Sequence, residues 1–153
     1  MSNACEMCQR FARFTPDDPY FIAELETGYA VLAENQHYRG YTIFIGKQCG
    51  PELHDLAPEV RARFLGEMAR VAEAVFRAVE PRKLNYELLG NSVAHLHWHI
   101  FPRYADDPNP KWPVWNDDEF LEAPRRTDIE SAALAELRGR VQGALADVRG
   151  AAA

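Results

Sequence analysis

Two short runs near the start of the chain, Tyr20–Leu25 and Tyr29–Leu32, are rich in aromatic and branched residues and flank Thr27-Gly28. That pattern predicts a β-hairpin, because such side chains suit a pleated surface and a polar-glycine pair suits a tight turn. A third run, Tyr41–Ile45, follows Gly40 and has the character of a buried strand. From Pro58 to Glu80 the period changes: Val60, Phe64, Met68, Val71, Val75 and Val79 fall at steps of three and four, with Arg and Glu between them. This is an amphipathic helix, and Pro81 ends it. Leu84–Leu89 and His95–Phe101 read as two further strands joined by Gly90-Asn91. Thr127-Asp128-Ile129-Glu130 matches a capping box, after which Ala133, Leu137, Val141 and Leu145 continue the apolar spacing begun at Ile129.

The predicted fold is therefore α+β: an antiparallel sheet of about five strands, one long central helix and a C-terminal helix. It forms a single domain over residues 1–150, since domains cluster near ~100–150 residues. Residues 1–19 read as an irregular N-terminal segment, 102–126 as a loop holding five prolines with Trp112 and Trp115, and 127–148 as the C-terminal helix. Trp112 and Trp115 suit either a rim that stacks on a base or, with more weight, core or dimer-interface packing. Asp117-Asp118-Glu119 reads as solvated surface.

Composition narrows the function. With 47% hydrophobic and 26% charged residues among 153, the chain has the make-up of a soluble globular protein. A net charge of −6 argues against a nucleic-acid duplex or an anionic membrane as partner. The first residues lack a basic n-region and an apolar h-region, so a cytoplasmic location is expected. Three cysteines, Cys5, Cys8 and Cys49, make a poor disulfide framework and read better as free thiols or a metal site.

The strongest chemical signal is Ala94-His95-Leu96-His97-Trp98-His99-Ile100-Phe101, which holds three of the chain's five histidines. Alternation puts the imidazoles on one strand face and Leu96, Trp98 and Ile100 on the other, toward the core. Residues four apart on a strand are separated by about 13 Å, whereas zinc reaches its ligands at about 2.0–2.1 Å. One ion cannot hold the whole row, which excludes a hydrolase using all three as ligands. The spacing suits a ligand laid along the strand. A neutral imidazole attacks phosphorus well, better if its other nitrogen donates to a carbonyl, and flanking imidazoles can stabilise phosphoryl oxygens. Phosphoryl or nucleotidyl transfer is the natural chemistry. His37 and His54 read as solvated.

The stretch from Gly90 to Arg103 resembles the signature of the histidine-triad (HIT) superfamily. Arg39–Lys47 is similar to that family's glycine-led strand, and Leu53–Glu59 to the approach to its long helix. The resemblance spans about residues 5–104. Leu84–Asn91 and His97-Trp98-His99 look most like a bacterial branch described as diadenosine-tetraphosphate-hydrolase-like. The resemblance implies that His97 attacks the α-phosphorus of a nucleotide conjugate, giving a nucleotidyl-histidine intermediate that water hydrolyses. It implies that His99 contacts the α-phosphate, and that Asn91 and Ser92 add hydrogen bonds to the phosphate or leaving group. Substrates would be dinucleoside polyphosphates or nucleoside phosphoramidates, and the protein a homodimer. In zinc-bearing bacterial relatives an N-terminal Cys-x-x-Cys joins a histidine just after the glycine-led strand and the first triad histidine; here Cys49 stands at that third position. By that resemblance Cys5, Cys8, Cys49 and His95 would hold one structural zinc, with no cofactor needed for the chemistry. Tyr41 stands where the family often has histidine, and Ala33 where Asp or Asn commonly binds ribose. The competing reading is a nucleotide-binding, zinc-stabilised interaction module with little activity.

Overall fold

The computed structural model describes residues 5–122 and 130–150. Residues 1–19, expected to be irregular, carry a short helix α1 (Glu6–Arg10) and a 3-10 turn, Phe11–Arg13. The hairpin forms as β1 (Phe21–Glu24) and β2 (Gly28–Leu32), followed by β3 (Thr42–Gly46). The long helix is α2 (Pro58–Val79); Pro58 opens it, where a missing N–H costs nothing. Strands β4 (Lys83–Glu87) and β5 (His97–Arg103) follow, then a short α3 (Asp118–Glu122) and α4 (Ser131–Gly150). The strands form one antiparallel sheet in the order β1-β2-β3-β5-β4, the expected α+β architecture.

Three boundaries differ from expectation. Strand β5 starts at His97 and not at His95, because the backbone before it is drawn away: His95 N–H donates to Val93 and Leu96 N–H to Gly50. The connection from β4 is thus longer than the Gly90-Asn91 turn that was expected. The stretch 102–126 is also less irregular than its prolines suggest, since β5 runs to Arg103 and Val114–Asn116 forms a 3-10 turn ahead of α3. The C-terminal helix is seen from Ser131, and the capping-box residues Thr127–Ile129 lie outside the described residues.

One face of the sheet is covered by α2 and α4. Leu32, Phe44 and Ile100 from the strands meet Phe64, Val71 and Val75 of α2 and Leu137, Val141 and Leu145 of α4. Phe44 and Phe64 stack at 5.1 Å, so truncating either to alanine costs about 3–5 kcal/mol. Glu67, which the helical pattern leaves among the polar positions, is instead 3% exposed. It accepts the amides of Glu26 (3.0 Å) and Thr27 (2.9 Å) and the Thr27 hydroxyl, tying the β1–β2 turn to the helix.

Among the described residues, the other face is covered at its two ends alone. At one end Met7, Val31 and Ile45 cluster beneath the N-terminal segment. At the other, Tyr38, Tyr41, Phe101, Val114 and Phe120 pack under the segment leading to α3. The uncovered middle is a cleft, and β5 runs through it.

Candidate active site and cysteine cluster

Register decides which side chains reach the cleft. Opposite His97 and His99 on β5 stand Ile45 and Ile43 of β3, so both imidazoles share the uncovered face, while Trp98 and Ile100 turn toward the helices. The cleft encloses about 760 Å³, within the range of ~300–1,000 Å³ usual for small-ligand sites. His97, His99, Asn91 and Ser92 all line it. Asn91 and Ser92 are exposed on the loop after Gly90, whose φ of 69° lies in the left-handed region that favours glycine.

The His97 side chain is held by its own backbone. Its Nδ1 lies 2.6 Å from the carbonyl oxygen of His95. A carbonyl only accepts, so Nδ1 carries the hydrogen and Nε2 keeps its lone pair. This is the tautomer a nucleophilic imidazole needs. His95 lies just ahead of the strand, and its carbonyl points toward the next imidazole in the alternating row.

His99 is placed differently. Its Nδ1 lies 2.5 Å from the hydroxyl of Tyr41, and its ring packs edge-on to His97 (4.7 Å) and Trp115 (5.7 Å) and parallel to Phe101 (5.9 Å). Burial, and then the neighbouring His97, lowers its pKa to about 4. Burial likewise raises the Tyr41 hydroxyl above its ordinary range, with Glu87 adding to the effect.

His95 leaves the row. It is 1% exposed, donates Nε2–H to the Gly46 carbonyl (2.7 Å), and turns Nδ1 toward Cys5 Sγ (3.4 Å) and Cys8 Sγ (3.7 Å). With Cys49 these residues bring one ligand atom each within 4.8 Å of one another. Backbone and residue choice cooperate here: α1 puts the two cysteines on one turn, and Gly46 fixes the histidine tautomer whose free nitrogen faces the sulfurs. Burial and the adjacent Cys49 and Cys5 push the Cys8 thiol up to about 12. Like charges this close oppose one another, so the three thiols would ionise together only with a cation among them.

Several site residues were not singled out by sequence. Arg10 and Glu34 pair at 3.5 Å on the cleft wall, and Met7, Asn35 and Val93 line it. Trp115 stands on the cleft rim, its indole N–H donating to Glu87, whereas Trp112 is exposed and away from it. Asp117 is no solvated acid. It is 3% exposed and accepts the Tyr38 hydroxyl at 2.5 Å. His37 packs against Tyr38 and Phe120 with Nε2 3.3 Å from that carboxylate, yet it stays exposed as expected, as does His54.

Known proteins share this fold. The HIT domain family matches residues 17–106. The protein called hit from Bacillus subtilis strain 168 is 29% identical over 121 residues, covering 74% of this chain and 82% of its own. The crystal structure of a histidine triad protein from Marinobacter aquaeolei VT8 superposes with a TM-score of 0.70 at 24% identity, covering 92% of this chain and 95% of that one. A zinc-bound histidine triad family protein from Mycobacterium smegmatis does so with a TM-score of 0.67 at 22% identity, covering 97% of both. A five-stranded antiparallel sheet, an alternating histidine row on its open face and a family match across most of that sheet converge: the chain belongs to the HIT family.

Proposed function

We propose that the protein is a nucleotide hydrolase or nucleotidyl transferase that attacks the α-phosphate of a dinucleoside polyphosphate or nucleoside phosphoramidate. The diadenosine-tetraphosphate-hydrolase-like branch supplies the first substrates to try. The observation that carries this reading is the His97 Nδ1 bond to the His95 carbonyl. It leaves Nε2 as the nucleophilic atom beside a nucleotide-sized cleft. His97 forms a bond to phosphorus as the leaving group departs, and water then cleaves the nucleotidyl-histidine. His99 donates to a phosphoryl oxygen, while Asn91 and Ser92 contact the phosphate or leaving group. Supplying a dinucleoside polyphosphate releases a mononucleotide, and His97→Ala lowers that rate by at least roughly a thousandfold. An unchanged rate removes the proposal.

Cys5, Cys8, Cys49 and His95 are proposed to hold one structural zinc. The donor set fits: three soft thiols and one imidazole nitrogen, gathered closely enough for a closed tetrahedral site. The zinc-bound relative supports this reading. Such an ion supplies no step of the chemistry; it would fasten the described part of the N-terminal segment, from Cys5 on, beside the cleft. A homodimer is proposed from the resemblance. Strand β4 ends the sheet with Tyr86 exposed, which leaves a backbone edge free for a second copy.

A further inference from the structure

We infer that Tyr41 is a positioning residue that holds His99 as a neutral imidazole with its hydrogen on Nε2, and so favours leaving groups that depart as anions. The inference rests on the reading of His97 as nucleophile and narrows its substrate class. The argument begins at one hydrogen. The Tyr41 hydroxyl lies 2.5 Å from His99 Nδ1 and has no other partner among the described residues. The phenol ring is fixed by stacking on Phe101 at 3.9 Å. Its hydrogen therefore points at Nδ1, whose lone pair accepts it, and the imidazole's own hydrogen sits on Nε2.

A second proton cannot easily join this ring. To protonate Nδ1, the hydroxyl would have to become an acceptor and give up the hydrogen bond it donates to that nitrogen. The titratable groups facing His99 are His97 on its own strand, Tyr41 ahead of β3, and Glu87 across the register on β4. Glu87 is the one that would favour a cation, and its carboxylate is engaged by the Trp115 indole N–H. Burial acts in the same sense, keeping His99 neutral near pH 7.

The consequence concerns where electrons and protons go. His97 Nε2 gives its lone pair to phosphorus while the bond to the bridging atom breaks, and that bonding pair leaves with the departing group. His99 Nε2–H donates a hydrogen bond to a phosphoryl oxygen and keeps its proton. His97 Nδ1–H stays on the His95 carbonyl. A polyphosphate carries the released pair as a stable oxyanion. An amine would have to leave as an amide ion unless protonated, and neither imidazole has a proton to give. In the second step water adds to phosphorus, the pair of the broken N–P bond returns to His97, and the water proton passes to solvent.

Two measurements test this, one independent of turnover. Long-range proton–nitrogen NMR of the metal-replete protein at neutral pH should show His99 protonated on Nε2 alone, with a mixture of tautomers in Tyr41→Phe. A protonated Nδ1 in the native protein, or a His99 that titrates near neutrality, overturns the positioning role. In kinetics, kcat/KM for a dinucleoside polyphosphate should exceed that for the matching phosphoramidate by roughly a hundredfold. Tyr41→Phe should lower kcat for the polyphosphate by roughly tenfold, the effect of about one hydrogen bond, with KM little changed. Equal or faster phosphoramidate turnover overturns the leaving-group preference. Failure of both substrates overturns the catalytic reading and that preference together, while the NMR result still decides Tyr41.

Discussion

The two ends of the cleft are closed by different physics. At one end Met7 of the N-terminal segment packs on Val31 and Ile45, Phe11 and Phe14 lie against Tyr29, and a cluster of thiols gathers around His95. At the other, a continuous aromatic cluster is backed by a hydrogen-bonded network: Tyr38 on Asp117, and Arg103 on Asp107, Asn85 (2.6 Å) and the carbonyls of Trp112 (2.9 Å) and Asn109 (2.8 Å). A short helix of five residues is too short to hold itself. The first end is the one that the proposed zinc would cross-link, while the second is held by packing and satisfied polar groups. The same contrast divides the histidines. His95 belongs to the cross-link, His99 to the aromatic end, and His97 lies between them, oriented by a carbonyl from one side.

The largest effect should come from breaking the cross-link. Cys49→Ala, or chelation, should remove about one zinc per chain. Amide-exchange protection should then vanish over Glu6–Arg13 while the strands and Tyr38–Phe120 region keep theirs. Uniform loss across both ends would erase the distinction. Next in size, Arg103→Leu strands the Asp107 carboxylate, whose side chain is only 1% exposed, and should cost about 3–5 kcal/mol in denaturant unfolding. A cost under about 1 kcal/mol would show that the network contributes little.

Acid should act on the second end in a known direction. Burial alone would raise Asp117, but the bonds it accepts from the Tyr38 hydroxyl and the Phe120 amide, and the nearby His37, outweigh it and leave its pKa lowered. Asp107 is lowered in the same way, burial being outweighed by Arg103 and the Asn109 amide. Groups lowered on folding contribute stability above their ordinary value of 3.8 that is lost as pH falls through the lower folded value. Unfolding midpoints should drop steeply there, and Asp117→Asn should flatten the drop. The smallest effect is expected at the rim: Trp115→Phe should change stability by less than about 1 kcal/mol yet weaken substrate binding, read as a raised KM.

Much of this molecule was legible in its sequence, and the limits have physical causes. Periodicity located the strands and the long helix because burial of one face dictates spacing. Alternation placed His97 and His99 together for the same reason. It misplaced His95, since hydrogen bonds to Val93 and Gly50 pull that stretch out of the ladder, and no local pattern announces them. Asp117 and Glu67 look like surface acids along the chain; what buries them are partners 79 and 40 to 41 residues away. The Tyr41–His99 pair spans 58 residues. Its sign in the sequence was a tyrosine where histidine is common in the family, which marked a departure without telling its role.

The central claim is that His97 is the nucleophile, and one measurement reaches it directly. The protein is mixed with a dinucleoside polyphosphate, quenched during turnover without acid, digested and examined by mass spectrometry. The account predicts a nucleotidyl group on the peptide carrying His97, absent from His97→Ala and retained in Cys49→Ala that still folds around its sheet. An adduct on another residue, or full turnover by His97→Ala, would contradict it.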